Sequence, residues 1–128
     1  SRMTPQTLAR MAARVGRSPP ERITEADLAA WLGRDVDVAA LHAAALAVAR
    51  AYRDRAIGYA VADAIVNDLW CVFLDKATEI GSPFWDVFEA FDAGEYHRRP
   101  DRSDEPVAER TDPMIAEILK RYPEDGTQ

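Results

Sequence analysis

Apolar residues recur at helical spacing along most of the chain, in stripes separated by short breaks that carry proline or glycine. Leu8, Met11, Ala12 and Val15 form the first stripe. Thr4 is placed as its N-cap, Pro5 as its first helical residue, and Gly16 as its end. Residues 17–22 contain Pro19-Pro20 and read as a loop. Thr24 with Asp27 three residues later resembles a capping box, and Ile23 and Leu28 occupy the positions of a hydrophobic staple. That helix runs to Leu32, stops at Gly33 and carries Trp31 toward the core. Asp35 or Asp37 can cap the next, in which Val38, Leu41, Ala45, Val48 and Tyr52 form a heptad-like seam filled out with alanine. Gly58 marks a break.

The chain is organised around residues 57–94. Seven of its eleven aromatics lie between Trp70 and Tyr96. Val61, Ile65, Leu69, Val72, Phe73 and Ile80 share one helical face, and Phe84, Val87, Phe88 and Phe91 make a second stripe. Between them Gly81 offers a left-handed stop, Ser82 an N-cap and Pro83 a first helical residue, with Gly94 closing the second helix. The pattern predicts an antiparallel helical hairpin, about 59–80 and 83–93, with its rings turned inward.

Residues 98–105 are a charged loop, and residues 106–110 make one helical turn. Asp112 is read as the cap of a last helix with Pro113 at N1 and Ile115, Ile118, Leu119 and Tyr122 inward. Residues 123–128 read as a frayed tail. No stretch alternates with period two, and there is no internal repeat. The fold class is all-α: a compact bundle of five to six helices, one domain over 1–128 with an ordered core at about 4–122.

Composition and charge narrow the function. A chain with 48% hydrophobic and 30% charged residues has the balance of a soluble globular domain. Its most apolar run, residues 38–49, falls short of the roughly 20 residues a bilayer needs, and the N-terminus has no signal-peptide core. Cys71 is the one cysteine, which fits a reducing compartment, so a cytoplasmic location is expected. Arginine outnumbers lysine fourteen to two in an alanine-rich chain, the composition of a GC-rich bacterial genome. The formal charge of −6 opposes a nucleic-acid footprint. It is split between halves: residues 1–58 carry nine Lys/Arg against six Asp/Glu (+3), residues 59–128 seven against sixteen (−9). Residues 59–95 alone hold eight Asp/Glu and one lysine, Lys76, a net of −7.

Three readings of function follow. The first is a bacterial cytoplasmic protein-interaction or homodimeric binding module without catalytic activity or cofactor. Its anchors would come from Phe84, Trp85, Tyr96 and His97, since two adjacent aromatics on a helix point different ways and one is left for an interface. The second is a metal-dependent hydrolase using Asp75, Glu79, Asp86, Glu89, Asp92, Glu95 and His97, because hard cations take carboxylate oxygens from facing helices. Glu89-Ala-Phe-Asp92 lacks an upstream Glu-x-x-Glu, and the all-α nucleotide pyrophosphohydrolases need both halves, so the chain does not resemble them. The third is DNA binding by the helical pair in residues 4–33, with Arg10, Arg14 and Arg17 on phosphates; Glu25 and Asp27 at the second helix's N-terminus oppose it. His42 beside the seam reads as a hydrogen-bonded core or boundary residue. No Gly-rich phosphate loop, His-Glu-x-x-His or Gly-x-Ser-x-Gly is present.

Overall fold

The computed structural model describes residues 3–76 and 79–124, and among them the chain forms six α-helices and no strand. They are α1 (Pro5–Val15), α2 (Glu25–Leu32), α3 (Val38–Arg53), α4 (Tyr59–Lys76), α5 (Phe84–Asp92) and α6 (Asp112–Arg121). The local start signals of α1, α2 and α3 and the stop of α2 act as the sequence predicts. Thr4 Oγ1 accepts from Thr7 N–H, Asp37 accepts from Ala40 N–H, and Thr24 and Asp27 exchange both bonds of a capping box. The staple residues Ile23 and Leu28 are both buried. Gly33 ends α2 at φ 72°, a conformation that a β-carbon would strain, and its N–H and that of Arg34 both bond Ala29 O.

One hydrophobic core joins residues from α1 to α6. At its centre α3 packs on α4 and on α5, so the alanine-rich helix is as central as the hairpin. Ala40, Ala44, Ala45 and Ala49 are buried on α3, and their small side chains admit close neighbours. The hairpin forms with its rings inward: Phe73 meets Phe84 at 4.8 Å and Trp70 stacks on Phe88 at 4.4 Å. Among the described residues no helix is long and apolar enough to cross a membrane.

The corner of the hairpin differs from its predicted form. The helix expected to reach residue 80 is described only to Lys76; residues 77 and 78 lie outside the described residues, and 79–81 are not helical. Gly81 does not take the left-handed conformation, because no helix end remains there to be stopped. Ser82 makes no cap bond either. Its role is taken from a distance: Phe84 N–H, the first orphan donor of α5, donates to His42 Nδ1 on α3 at 3.1 Å.

Two other predicted features change for steric reasons. Gly94 does not turn left-handed. It is small because a β-carbon there would lie 2.9 Å from the Tyr59 ring and nearer still to Thr111 Oγ1. Asp112 does not cap α6. The chain enters α6 through a continuous π-turn, Val107–Thr111, directly ahead of Pro113. Proline cannot donate within a helix and its ring crowds the carbonyl one turn back, so the widened turn accommodates it. Asp112 Oδ1 instead accepts from the Tyr52 hydroxyl at 2.6 Å, and Thr111 donates to Ala90 O at 2.7 Å. Residues 125–128 of the predicted tail lie outside the described residues.

Burial lowers the basicity of His42, and the neutral ring is the form that accepts from Phe84. A depressed value means the contribution is complete above the ordinary imidazole range and is lost as pH falls through the lowered value. His42→Leu is expected to cost about 1–2 kcal/mol at pH 7.5, where the acceptor is intact. Urea denaturation at a series of pH values should show that deficit narrowing as pH falls below the ordinary imidazole range and wild-type His42 itself protonates.

Candidate functional site

Helical spacing gives α4 two faces. Ala62, Ile65, Val66, Leu69, Val72 and Phe73 are buried. Asp63, Asn67, Trp70 and Leu74, at steps of four, three and four, line the other side. On the antiparallel partner, Trp85, Phe88, Glu89 and Asp92 follow the same rule, and Glu95 lies just beyond α5. The two stripes meet as one band, aromatic at one end and acidic at the other.

At the aromatic end three half-buried rings stack on each other. Trp70 lies 4.4 Å from Phe88 and 5.4 Å from Trp85, and Trp85 lies 5.6 Å from Phe88. Beside them Leu74 is 52% exposed. The rings pack face to face or at a shallow tilt, so each is braced by the other two before anything touches the surface.

At the acidic end Asn67 Nδ2 donates to Asp63 Oδ1 (3.2 Å) and to Glu95 Oε2 (3.3 Å), bridging the two helices. Burial raises the pKa of Asp63 to about 7; its hydrogen bond with Glu95 and the charges of Glu95 and Asp92 push the same way, with only Asn67 opposing. The Tyr59 phenol, which donates to Phe91 O at 2.5 Å, is raised by burial and by the same three carboxylates. Among the described residues no lysine or arginine forms an ion pair with Asp63, Asp92 or Glu95. Two other acids of the hairpin are answered. Asp68 accepts from Ile23 N–H (2.8 Å) and faces Arg22 (3.8 Å), and Asp86 faces Arg121 (3.7 Å).

The residues singled out in the sequence are scattered by the fold. Phe84 is fully buried against Phe73, so it cannot anchor a partner; Trp85 is the half-exposed member of that pair. Tyr96 is 54% exposed and lies under the Arg98 guanidinium, 4.1 Å from its ring centre. His97 Nδ1 is 3.1 Å from Asp104 Oδ1. Asp104 is buried and gathers the loop: the Arg98 N–H above all, then His97 and the Arg99 N–H, hold its carboxyl down to about 2. Asp75, Glu79, Asp86, Glu89, Asp92, Glu95 and His97 do not assemble: among the described residues no three His, Cys, Asp or Glu side chains gather as a metal-holding group.

In the N-terminal pair Arg14, a candidate for phosphate contact, is engaged within the chain. It pairs with Asp27 at 2.5 Å and lies over Trp31. A cleft of about 440 Å³ beside Tyr52, Arg55, Ile57, Tyr59 and Asp112 holds none of the predicted site residues, and its two phenols are already donating to Asp112 and Phe91.

Sequence reasoning missed Asp63 and Asn67 and placed Phe88 with the core. The signal was available in the spacing of Asp63, Asn67, Trp70 and Leu74, which sets an acid and two apolar residues on one face. With its pKa raised, Asp63 favours the folded state most below the ordinary carboxylate range, and that contribution disappears as pH rises through about 7. Asp63→Asn is therefore expected to be near neutral at pH 4 and to stabilise the fold by about 1–2 kcal/mol at pH 8, measured by chemical denaturation at both. No protein-family model, curated protein or solved structure matches this chain, so the role of the face rests on its own chemistry.

Proposed function

We propose that this chain is a protein-binding module that docks a partner through the outer face of α4 and α5. The observation that carries the reading is the rigid stack of Trp70, Trp85 and Phe88 beside exposed Leu74. Large aromatic side chains fixed in place before binding lose little entropy on contact, and they are the residues that dominate interface energies. The reducing interior of a bacterial cell suits the half-buried thiol of Cys71.

The reading favours a different protein over a second copy. A two-fold interface sets one patch against itself, and this patch contributes acids and rings but no lysine or arginine. Self-pairing would leave the acidic end as uncompensated as before.

Photo-crosslinking in the source cell tests the proposal, with the reactive amino acid replacing exposed Glu89 at the edge of the rings. One adduct of defined mass is expected, and Leu74→Asp, a surface change that leaves the core intact, should lower its yield by about fivefold or more, as loss of a central apolar contact does. A control at Arg10, exposed on α1, should not form it. Absence of any adduct sensitive to Leu74→Asp would overturn the reading.

A further inference from the structure

Resting on that reading of the face, we infer that the docked segment is a cationic amphipathic helix of the partner protein, with apolar side chains on Trp70, Trp85, Phe88 and Leu74 and a lysine or arginine at Asp63, Asp92 and Glu95. Charge complementarity is the first ground. Asn67 bridges Asp63 and Glu95 at one end of an apolar face and Asp92 adds its charge to Asp63; among the described residues none of these three carboxylates forms an ion pair, while Asp68 and Asp86 on the same hairpin do. Like charges held together cost the chain stability, and strain of this kind persists where something else relieves it. A cation delivered by the partner would do so. The acidic end equally repels an anionic lipid surface or a nucleic acid.

Geometry supplies the second ground. The face lies along two antiparallel helices and offers no strand edge, so a helix laid along it is the fitting mode of recognition. Asp63 and Trp70 are seven residues apart on α4, about 10 Å along the axis, and Asp63 and Leu74 about 16 Å. The partner helix therefore carries its cation about two turns from its first apolar anchor and spans about three turns in all.

A proton is displaced in the process. Asp63 holds one near neutral pH, facing Asp92 and Glu95 from the α5 side and the Tyr59 phenol from its own helix. An ammonium or guanidinium group favours the ionised carboxyl, so docking releases a proton and tightens as pH rises from 6 to 8.

The test uses synthetic helical peptides with the 128-residue chain, followed by calorimetry. The probe is a 15-residue peptide with a lysine near one end and a leucine stripe that begins about two turns from it. Controls replace the lysine with glutamate, the leucines with serine, or a central residue with proline. The leucine–lysine peptide is expected to bind, with affinity falling about tenfold when Asp63→Asn and Glu95→Gln are combined, as for loss of a desolvated charge pair. Asp63→Asn alone does not endanger folding, for the reason given above. Affinity should rise about threefold or more from pH 6 to 8, with proton release seen as a buffer-dependent enthalpy.

Equal binding of the glutamate peptide, or unchanged affinity in the double variant, would overturn the cationic partner. Equal binding of the proline peptide would overturn the helix in favour of an extended segment. A dimer in sedimentation equilibrium that dissociates with Leu74→Asp would assign the face to a second copy. Failure of every peptide while the Leu74-dependent adduct still forms refutes this partner chemistry and leaves the binding module standing; loss of that adduct refutes both.

Discussion

The fold depends on one point, the start of α5, where three helices are tied at a single residue. The Phe84 ring sits against Phe73 of α4 at 4.8 Å, and its amide donates to His42 of α3 at 3.1 Å. His42 in turn meets Phe73 edge-on, 5.5 Å between ring centres. An aromatic contact and a hydrogen bond that share partners set both the distance and the rotation of α5. Rotation is the more consequential of the two. It sends Phe84 inward and leaves Trp85 and Phe88 on the outer side, and so it creates the face.

The same placement explains the uneven electrostatics of the hairpin. Two acids of the hairpin find cations on neighbouring segments, where Arg22 faces Asp68 and Arg121 faces Asp86, while the hairpin's own Lys76 pairs with Glu25 of α2. The far end of the band lies where the chain passes from α5 into the loop that Asp104 holds, and the arginine nearest in sequence is spent otherwise. Arg98 donates to Ala93 O and Tyr96 O and covers the Tyr96 ring. Asp63 and Glu95 are left to share a hydrogen bond, with Asn67 as their bridge. The fold tolerates such a cluster because one carboxyl can hold a proton.

Stability and the proposed binding fall on different sides of the same two helices. The buried side of α4 and α5 is aliphatic and phenylalanine-rich, and its partners all lie within the chain. The outer side mixes tryptophan with acid and has few internal partners. Substitutions at Leu74 or Asp63 can therefore change what the face does while the core stays as it is, whereas Phe84 and His42 belong to the core alone.

Helices, their caps and the existence of the hairpin were legible in the sequence, because each rests on contacts three or four residues apart. Thr4, the Thr24–Asp27 box, Asp37 and the αL Gly33 all follow from such local geometry. What the tertiary structure alone decided involves residues far apart in the chain: His42 with Phe84, 42 positions away, and Asn67 with Glu95, 28 positions away. Periodicity tells which residues share a face but not which neighbour the face meets. Phe88 and Phe91 look alike in the pattern, yet only Phe91 is fully buried, and the inert-looking Asp63 becomes the most perturbed acid of the hairpin once Glu95 is brought beside it. Local sequence sets the helices; their rotation against one another, fixed by ring packing and a single histidine, sets the site.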